Sequence, residues 1–373
     1  MEQINSVYIH IPFCQTICSY CDFCKLFYNK KLVDPYLKEL EKEIEENYKG
    51  EEISTIYIGG GTPTSLSCDE LSFLFSILKK IRLASNYEFT IEANIDSLDI
   101  NKIKLLRENN VNRISIGVET FNDDYQKLIN RKLSFKDLKA TIRLLKDNGI
   151  NNINLDLMYG FRNESIEILD KDLDYLLKLD IPHISIYSLI IEDNTILKIN
   201  NYQRLDDDND QVLYKYIEEK LERNNYKHYE ISNYAKAGYE SRHNLVYWNN
   251  GEYYGFGLSA ASYYYDVRKS NTRSITNYLN GTREIEKEAL SLKDKMDYEI
   301  MLGLRLKRGV SKEQFLKKYN IKPDNVYNYQ ELLDKNILIE NDKYLYVNKN
   351  YWYVLNEILS EIFFDWHSKM YEY

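Results

Sequence analysis

Four of the five cysteines, Cys14, Cys18, Cys21 and Cys24, fall within eleven positions, while Cys68 stands alone. The spacing Cys14-x3-Cys18-x2-Cys21 puts three thiolates on one short loop. Three thiolates can hold three irons of a 4Fe–4S cube and leave the fourth iron open to a ligand. The competing chemistry is a zinc site with Cys24 as fourth ligand. Structural zinc sites of that kind more often pair two separated CxxC halves, and this chain has a single cluster. Two further patterns stand out. Gly59-Gly60-Gly61-Thr62-Pro63 is a turn whose backbone, lacking Cβ atoms, can approach a ligand closely. Glu92 sits in an otherwise apolar run, where an unpartnered carboxylate would cost on the order of several kcal/mol, so it requires a cationic or hydrogen-bonding partner.

Short β-branched runs alternating with longer amphipathic stretches must carry these residues, the pattern of repeated βα units. Strands are predicted at Val7–Pro12, Thr55–Ile58, Glu88–Ala93, Arg113–Val118, Asn152–Met158 and His183–Leu189. One helix is expected to open at Asp34-Pro35, and another at Ser134 that stops near Gly149. Six strands with helical crossovers imply a parallel sheet, open or curled into part of a barrel, with ligands at the C-terminal strand ends. The cysteines follow strand one and the glycine turn follows strand two. Glu92 with Asn94, Glu119, Asp156 and Tyr187 lie at or towards the same end of strands three to six. Further on, residues 210–224 read as a helix and Tyr226–Ser232 as a strand. From about Lys287 come helices at Glu313–Tyr319 and Val326–Leu332, a hairpin across Asn341-Asp342 and an apolar helix at Trp352–Phe363, an order that resembles a winged-helix module. The expected domains are therefore 1–286 and 287–373.

The 373 residues, 44% hydrophobic and 29% charged, suit a two-domain globular protein. No apolar run approaches the roughly 18 residues of a membrane span. The net charge of −9, with no acid-free basic block, disfavours a nucleic-acid partner. The 35 tyrosines are spread along the chain and receive no common role, and the run Asp206 to Asp208 reads as a solvated loop. The first residues lack the basic and apolar segments of a signal peptide, so a cytoplasmic location without disulfides is expected.

The segment Tyr8-Ile-His-Ile-Pro-Phe-Cys14-Gln-Thr-Ile-Cys18-Ser-Tyr-Cys21-Asp-Phe23 resembles the signature of radical S-adenosylmethionine (SAM) proteins, in the branch of the oxygen-independent coproporphyrinogen oxidases and their HemW-like haem chaperone relatives. Gly59-Gly-Gly-Thr-Pro-Thr64, Ile91-Glu-Ala-Asn94, Asn112-Arg-Ile-Ser-Ile-Gly-Val118, Leu155-Asp-Leu-Met-Tyr-Gly160 and His243-Asn-Leu-Val-Tyr-Trp248 extend the likeness over most of residues 7–265. The resemblance implies an α/β fold, a partial (β/α)6 barrel with the winged-helix-like domain at its C-terminus. It implies cluster ligation by Cys14, Cys18 and Cys21. A SAM pocket would draw on Tyr8, Gly60, Gly61, Thr62, Glu92, Glu119, Arg131 and Asp156. Haem would be bound at His243, within the HNxxYW motif, for transfer to a client protein. Phe23, where the oxidases carry cysteine, favours the chaperone branch. The alternative in the same family is a radical enzyme, an oxidoreductase or methyltransferase fed by an electron donor and acting on a tetrapyrrole or other organic substrate. No catalytic residue is assigned.

Overall fold

The computed structural model describes residues 4–363, so residues 364–373 of the expected C-terminal domain lie outside the described residues. The chain divides into two compact units. The first comprises residues up to 227, 232–243 and 252–289, and the second residues 228–231, 244–251 and those from 290 onward.

Six βα repeats build the first unit. The strands are β1 (Ser6–Ile11), β2 (Ile53–Gly60), β3 (Leu83–Ala93), β4 (Arg113–Glu119), β5 (Asn152–Tyr159) and β6 (His183–Ser188). They are followed in turn by α1 (Lys30–Asn47), α2 (Cys68–Leu78), α3 (Ile100–Glu108), α4 (Phe135–Asp147), α5 (Ile166–Leu177) and α6 (Asp207–Arg223). Two short strands, β7 (Asn233–Ala235) and β8 (Tyr254–Phe256), extend the sheet to the order β8-β1-β2-β3-β4-β5-β6-β7, with the strand Lys227–Glu230 beyond β7 as the ninth. All pairings from β8 to β6 are parallel, and β7 runs antiparallel on β6. β8 and the strand Lys227–Glu230 stand at opposite ends of this order, so the sheet is an open, partial (β/α)6 barrel.

The two faces of the sheet differ sharply, as period-two alternation requires. Val7, Ile9, Ile58, Ile91, Ile116, Leu155 and Ile184 belong to the buried apolar cluster that also takes in the inner faces of the helices. The intervening residues, among them Tyr8, Tyr57, Glu92, Arg113, Ser115, Asp156 and His183, form a polar inner face. A face this polar and this buried is a poor choice for packing alone. It needs an occupant or a hydrogen-bonded network.

Two local expectations are corrected. α1 opens at Lys30, five positions before Pro35, capped by Asn29, whose side-chain oxygen accepts from Lys31 N–H, so the capping side chain outweighs the helix-start signal of Asp34-Pro35. The acidic run is not a loop: Asp206 caps α6 by accepting from Asn209 N–H, and Asp207 and Asp208 occupy the first turn, where negative charge suits the helix dipole.

In the second unit, Val310–Ser311, Tyr344–Val347 and Leu338–Glu340 form a three-stranded antiparallel sheet in that order. Helices Leu292–Gly303, Lys312–Tyr319, Gln330–Asp334 and Leu355–Ile362 accompany it. The hairpin stands where expected. The stretch predicted as a helix over Val326–Leu332 follows a 3₁₀ turn at Pro323–Asn325 and becomes helical only from Gln330. Among the described residues no helix is long and apolar enough to cross a membrane.

Candidate cluster and cofactor site

The cysteine loop is stitched to the sheet at both ends. Phe13–Cys14 pairs in parallel with Leu26–Phe27, and Tyr28 N–H donates to Cys14 O at 2.8 Å. Between these anchors, Ser19 N–H donates to Ile129 O at 3.1 Å and Asn130 Nδ2 to Ile17 O at 2.9 Å, which ties the loop to the segment after β4. Lys25 Nζ donates to Cys21 O. Cys14 is buried, and Cys18 and Cys21 are half-buried. Burial pushes all three thiols up, so the bare loop carries neutral thiols and a bound metal would be what draws their protons off. Among the described residues, no three His, Cys, Asp or Glu side chains are grouped as they would be around one metal ion. The thiolates of a 4Fe–4S cube bind separate irons.

The glycine turn lies against this loop. Gly61 N–H donates to Ile11 O and Thr62 N–H to Phe13 O, both at 2.8 Å, continuing the β1–β2 ladder into the cysteine segment. A Cβ on Gly60, where φ is +113°, would meet the His10 ring at 2.5–2.7 Å, and one on Gly61 would meet the Pro12 and Phe13 backbone at 2.7–2.9 Å. The missing side chains thus let β2 close on the cluster-bearing strand, a reason for these glycines that ligand approach alone does not provide.

A continuous polar chain runs from the cluster loop to the end of β4. Thr62 Oγ1 lies 3.7 Å from Cys14 Sγ, Asn94 Nδ2 donates to Thr62 Oγ1 at 3.2 Å, and Arg131 Nη1 donates to Asn94 Oδ1 at 2.6 Å. Arg131 Nη2 in turn pairs with Glu119 Oε1 at 2.9 Å. Glu119 sits in the left-handed region, φ +67°, at a register shift of β4. Strain of that kind in a non-glycine residue is concentrated at ligand sites. Glu119 Oε2 and Arg131 Nε are both buried without a hydrogen-bond partner. Arg131, which holds Glu119, lines a cavity of about 230 Å³ together with Thr16, Cys18, Asn94, Asp96 and Gly117. An occupant carrying both a cationic group and acceptor oxygens, as the amino-acid part of SAM does, fits this donor set.

Glu92 is fixed from two sides: Tyr57 donates to Oε1 at 2.8 Å and Gly60 N–H to Oε2 at 3.0 Å. Burial pushes its carboxyl up to about 7, with nearby Asp156 acting in the same direction and Tyr57 and Arg113 opposing. Asp156 accepts from Asn154 Nδ2 at 2.6 Å and from Ser115 Oγ at 3.4 Å. Burial raises its carboxyl as well. Tyr8 lies 3.0 Å from His10 Nδ1, while His10 Nε2 lies 2.8 Å from Cys24 O. A carbonyl can only accept, so Nε2 carries the proton and Nδ1 accepts from Tyr8. Burial lowers His10 to about 4, which keeps the ring neutral.

The structure gathers Tyr8, Gly60, Gly61, Thr62, Glu92, Glu119, Arg131 and Asp156 at one end of the sheet with the three cysteines. His243 lies apart from them. Its ring is 1% exposed, stacks on Tyr57 at 5.2 Å, and places Nδ1 3.0 Å from both Ser6 Oγ and Thr55 Oγ1. Burial first, then Arg113, push it down to about 3. Sequence reasoning missed Tyr57, which joins His243 to Glu92, and the bridging role of Asn94. The parity of Tyr57 with Gly59 along β2 was the available signal.

Profiles of two families match the chain: Radical SAM superfamily over residues 8–176 and HemN C-terminal domain over residues 290–353. The heme chaperone HemW of Lactococcus lactis subsp. lactis is 36% identical over 375 residues, covering 98% of this chain and 99% of that one. The heme chaperone HemW of Bacillus subtilis is 36% identical over 371 residues, covering 95% and 98%. Among solved structures, coproporphyrinogen III oxidase (HemN) from Escherichia coli superimposes with a TM-score of 0.84 at 20% identity, over 96% of this chain and 89% of that one. At that identity the likeness is one of fold.

Proposed function

The chain belongs to the HemW family of the radical SAM superfamily, and on that premise we propose that it is a haem chaperone, which binds a 4Fe–4S cluster, SAM and haem and hands haem to a client protein in the cytoplasm. The observation that carries the reading is the end-to-end likeness to the Lactococcus lactis chaperone. The polar chain from Cys14 to Glu119 supports its cofactor part.

In this reading Cys14, Cys18 and Cys21 would hold the cluster, and SAM would bind beside it. When bound, cluster and SAM together supply one-electron chemistry at a sulfonium. The chain's own residues bind and orient. Arg131, steered by Asn94 and Glu119, presents Nε to an acceptor, and Glu119 Oε2 receives a donor. Glu92, clamped by Tyr57 and Gly60 N–H, receives a cation or hydroxyl. Tyr8 keeps its hydroxyl on His10 and so closes the side of the pocket facing Cys24. Phe23, 64% exposed on the cluster loop beside the Arg273–Asp22 contact, offers an aromatic face at the site's edge. His243 becomes an iron ligand only after its ring leaves Tyr57.

Titration of haemin into anaerobically cluster-loaded protein tests the proposal. A saturable Soret shift is expected, weakened in His243→Ala. An unchanged spectrum would overturn the chaperone function. Accumulation of 5′-deoxyadenosine only on addition of an organic substrate would replace it with a radical enzyme.

A further inference from the structure

One row below Glu92, the inner face of the sheet carries a second set of polar residues. Thr90 of β3, Arg113 of β4 and Asn152 of β5 are direct register partners. Each has a buried polar atom without a hydrogen-bond partner: Thr90 Oγ1, Arg113 Nε and Asn152 Oδ1. Three such atoms side by side mark an enclosed polar compartment of the kind that holds ordered water. Arg113 is 2% exposed, and a guanidinium is not buried without compensation. By register, the carboxyl of Glu92 stands one row above it on the neighbouring strand. Glu92 is the register partner of Ser115, which stands two residues beyond Arg113 on the same face, and Ser115 donates to Asp156.

The charges around these two carboxyls come from every strand of the inner face. Tyr8 of β1 and Tyr57 of β2 are pushed far up by burial, as is Tyr187 of β6, so all three are neutral. His183 of β6 and His243 are pushed down, by burial first and Arg113 second, and are neutral too. Glu88, lower on β3, has its two oxygens on the backbone N–H groups of Arg242 and His243. Glu119, at the end of β4, also acts on Asp156 but carries its own counter-charge in Arg131, at 2.9 Å. Among the remaining groups the Arg113 guanidinium is the positive charge, and two neighbouring carboxylates without one would repel each other's ionisation.

We propose that Arg113, hydrated from below between Thr90 and Asn152, is a positioning residue for the SAM pocket: its guanidinium is the buried counter-charge that lets Glu92 and Asp156 be negative together at the pocket floor. The inference rests on the reading of Glu92 as a SAM contact.

Equilibrium dialysis of labelled SAM against cluster-loaded protein, from about pH 6 to about pH 9, tests it. In the unaltered protein affinity falls as pH drops through the Glu92 range near 7. Arg113→Gln moves that midpoint up by about one pH unit and weakens binding at neutral pH by about tenfold, while Arg113→Lys, which keeps the charge, restores the midpoint. A midpoint unmoved in Arg113→Gln overturns the inference. Should Arg113→Gln fail to fold, the double variant Arg113→Gln/Glu92→Gln decides. Removing both charges is expected to recover stability in urea relative to Arg113→Gln, and no recovery overturns the inference. Glu92→Gln binding SAM like the unaltered protein at every pH would remove the reading of Glu92 and the inference with it, a result distinct from failure at Arg113 alone.

Discussion

At the scale of single residues, Gly60 shows how much rests on an absent side chain. With φ at +113° and the His10 ring 2.5–2.7 Å from where a Cβ would stand, Gly60→Ala must displace the ring that holds Cys24 O. Urea unfolding is expected to show a loss of about 2–4 kcal/mol, against about 1 kcal/mol for Gly50→Ala, which is also at positive φ but has nothing within 4 Å. Equal losses would mean that backbone strain alone, and not contact with His10, fixes the glycine. The cysteines and the charged residues at strand ends were legible in the sequence, because one period and one sheet rule place them. Tyr57 and Arg113 were not, since a single chain does not state which strand rows adjoin. The motif at His243 was legible too, but not its burial: the hydroxyl that holds it, on Thr55, lies 188 positions away.

At the scale of elements, α1 clamps the cluster-bearing strand. Its buried face carries Tyr36, whose hydroxyl donates to His10 O at 2.5 Å and accepts from Leu258 N–H at 3.0 Å, and Glu43, which accepts from Gly257 N–H at 2.8 Å and from Tyr278 at 2.6 Å. Tyr36→Phe strands two buried backbone groups at once. A cost of about 1–3 kcal/mol is expected in chemical denaturation, together with faster loss of iron from the loaded protein. A neutral result would show that β1 is held by the ladder without the helix. The six strands were readable because alternation is strong on a face that is apolar outside and polar inside. The start of α1 was misread because a proline is acceptable near a helix start and Asn29, six residues earlier, is the better cap.

At the scale of the whole molecule, buried titratable groups pull stability in opposite directions with pH. Burial raises Glu92 to about 7, Glu164 to about 8 and Asp172 to about 6. A carboxyl raised in the fold contributes stability below its unfolded pKa, and that contribution is lost as pH rises through the folded value. His10 and His243, lowered to about 4 and about 3, act the other way: their contribution is present above about 6.5 and lost as pH falls. The two sets offset one another in moderate acid. Above about pH 6.5 Glu92 and Glu164 titrate, and their part of the stability of the unloaded protein is expected to fall by on the order of 2 kcal/mol by about pH 8.5, with Glu164→Gln removing most of that part. Stability that instead rises over that range would contradict the assignment.

The ladder that carries Gly61 and Thr62 onto Ile11 and Phe13 has a consequence for how the cofactor arrives. The two rims of the cysteine loop are paired with each other, and Ile17 and Ser19 at its crown are tied to the segment after β4, so the loop is held before iron arrives. Amide hydrogen exchange in the metal-free protein should therefore be slow at Gly61, Thr62, Tyr28 and Ser19 alike, which makes maturation an insertion into a finished cradle rather than a folding event.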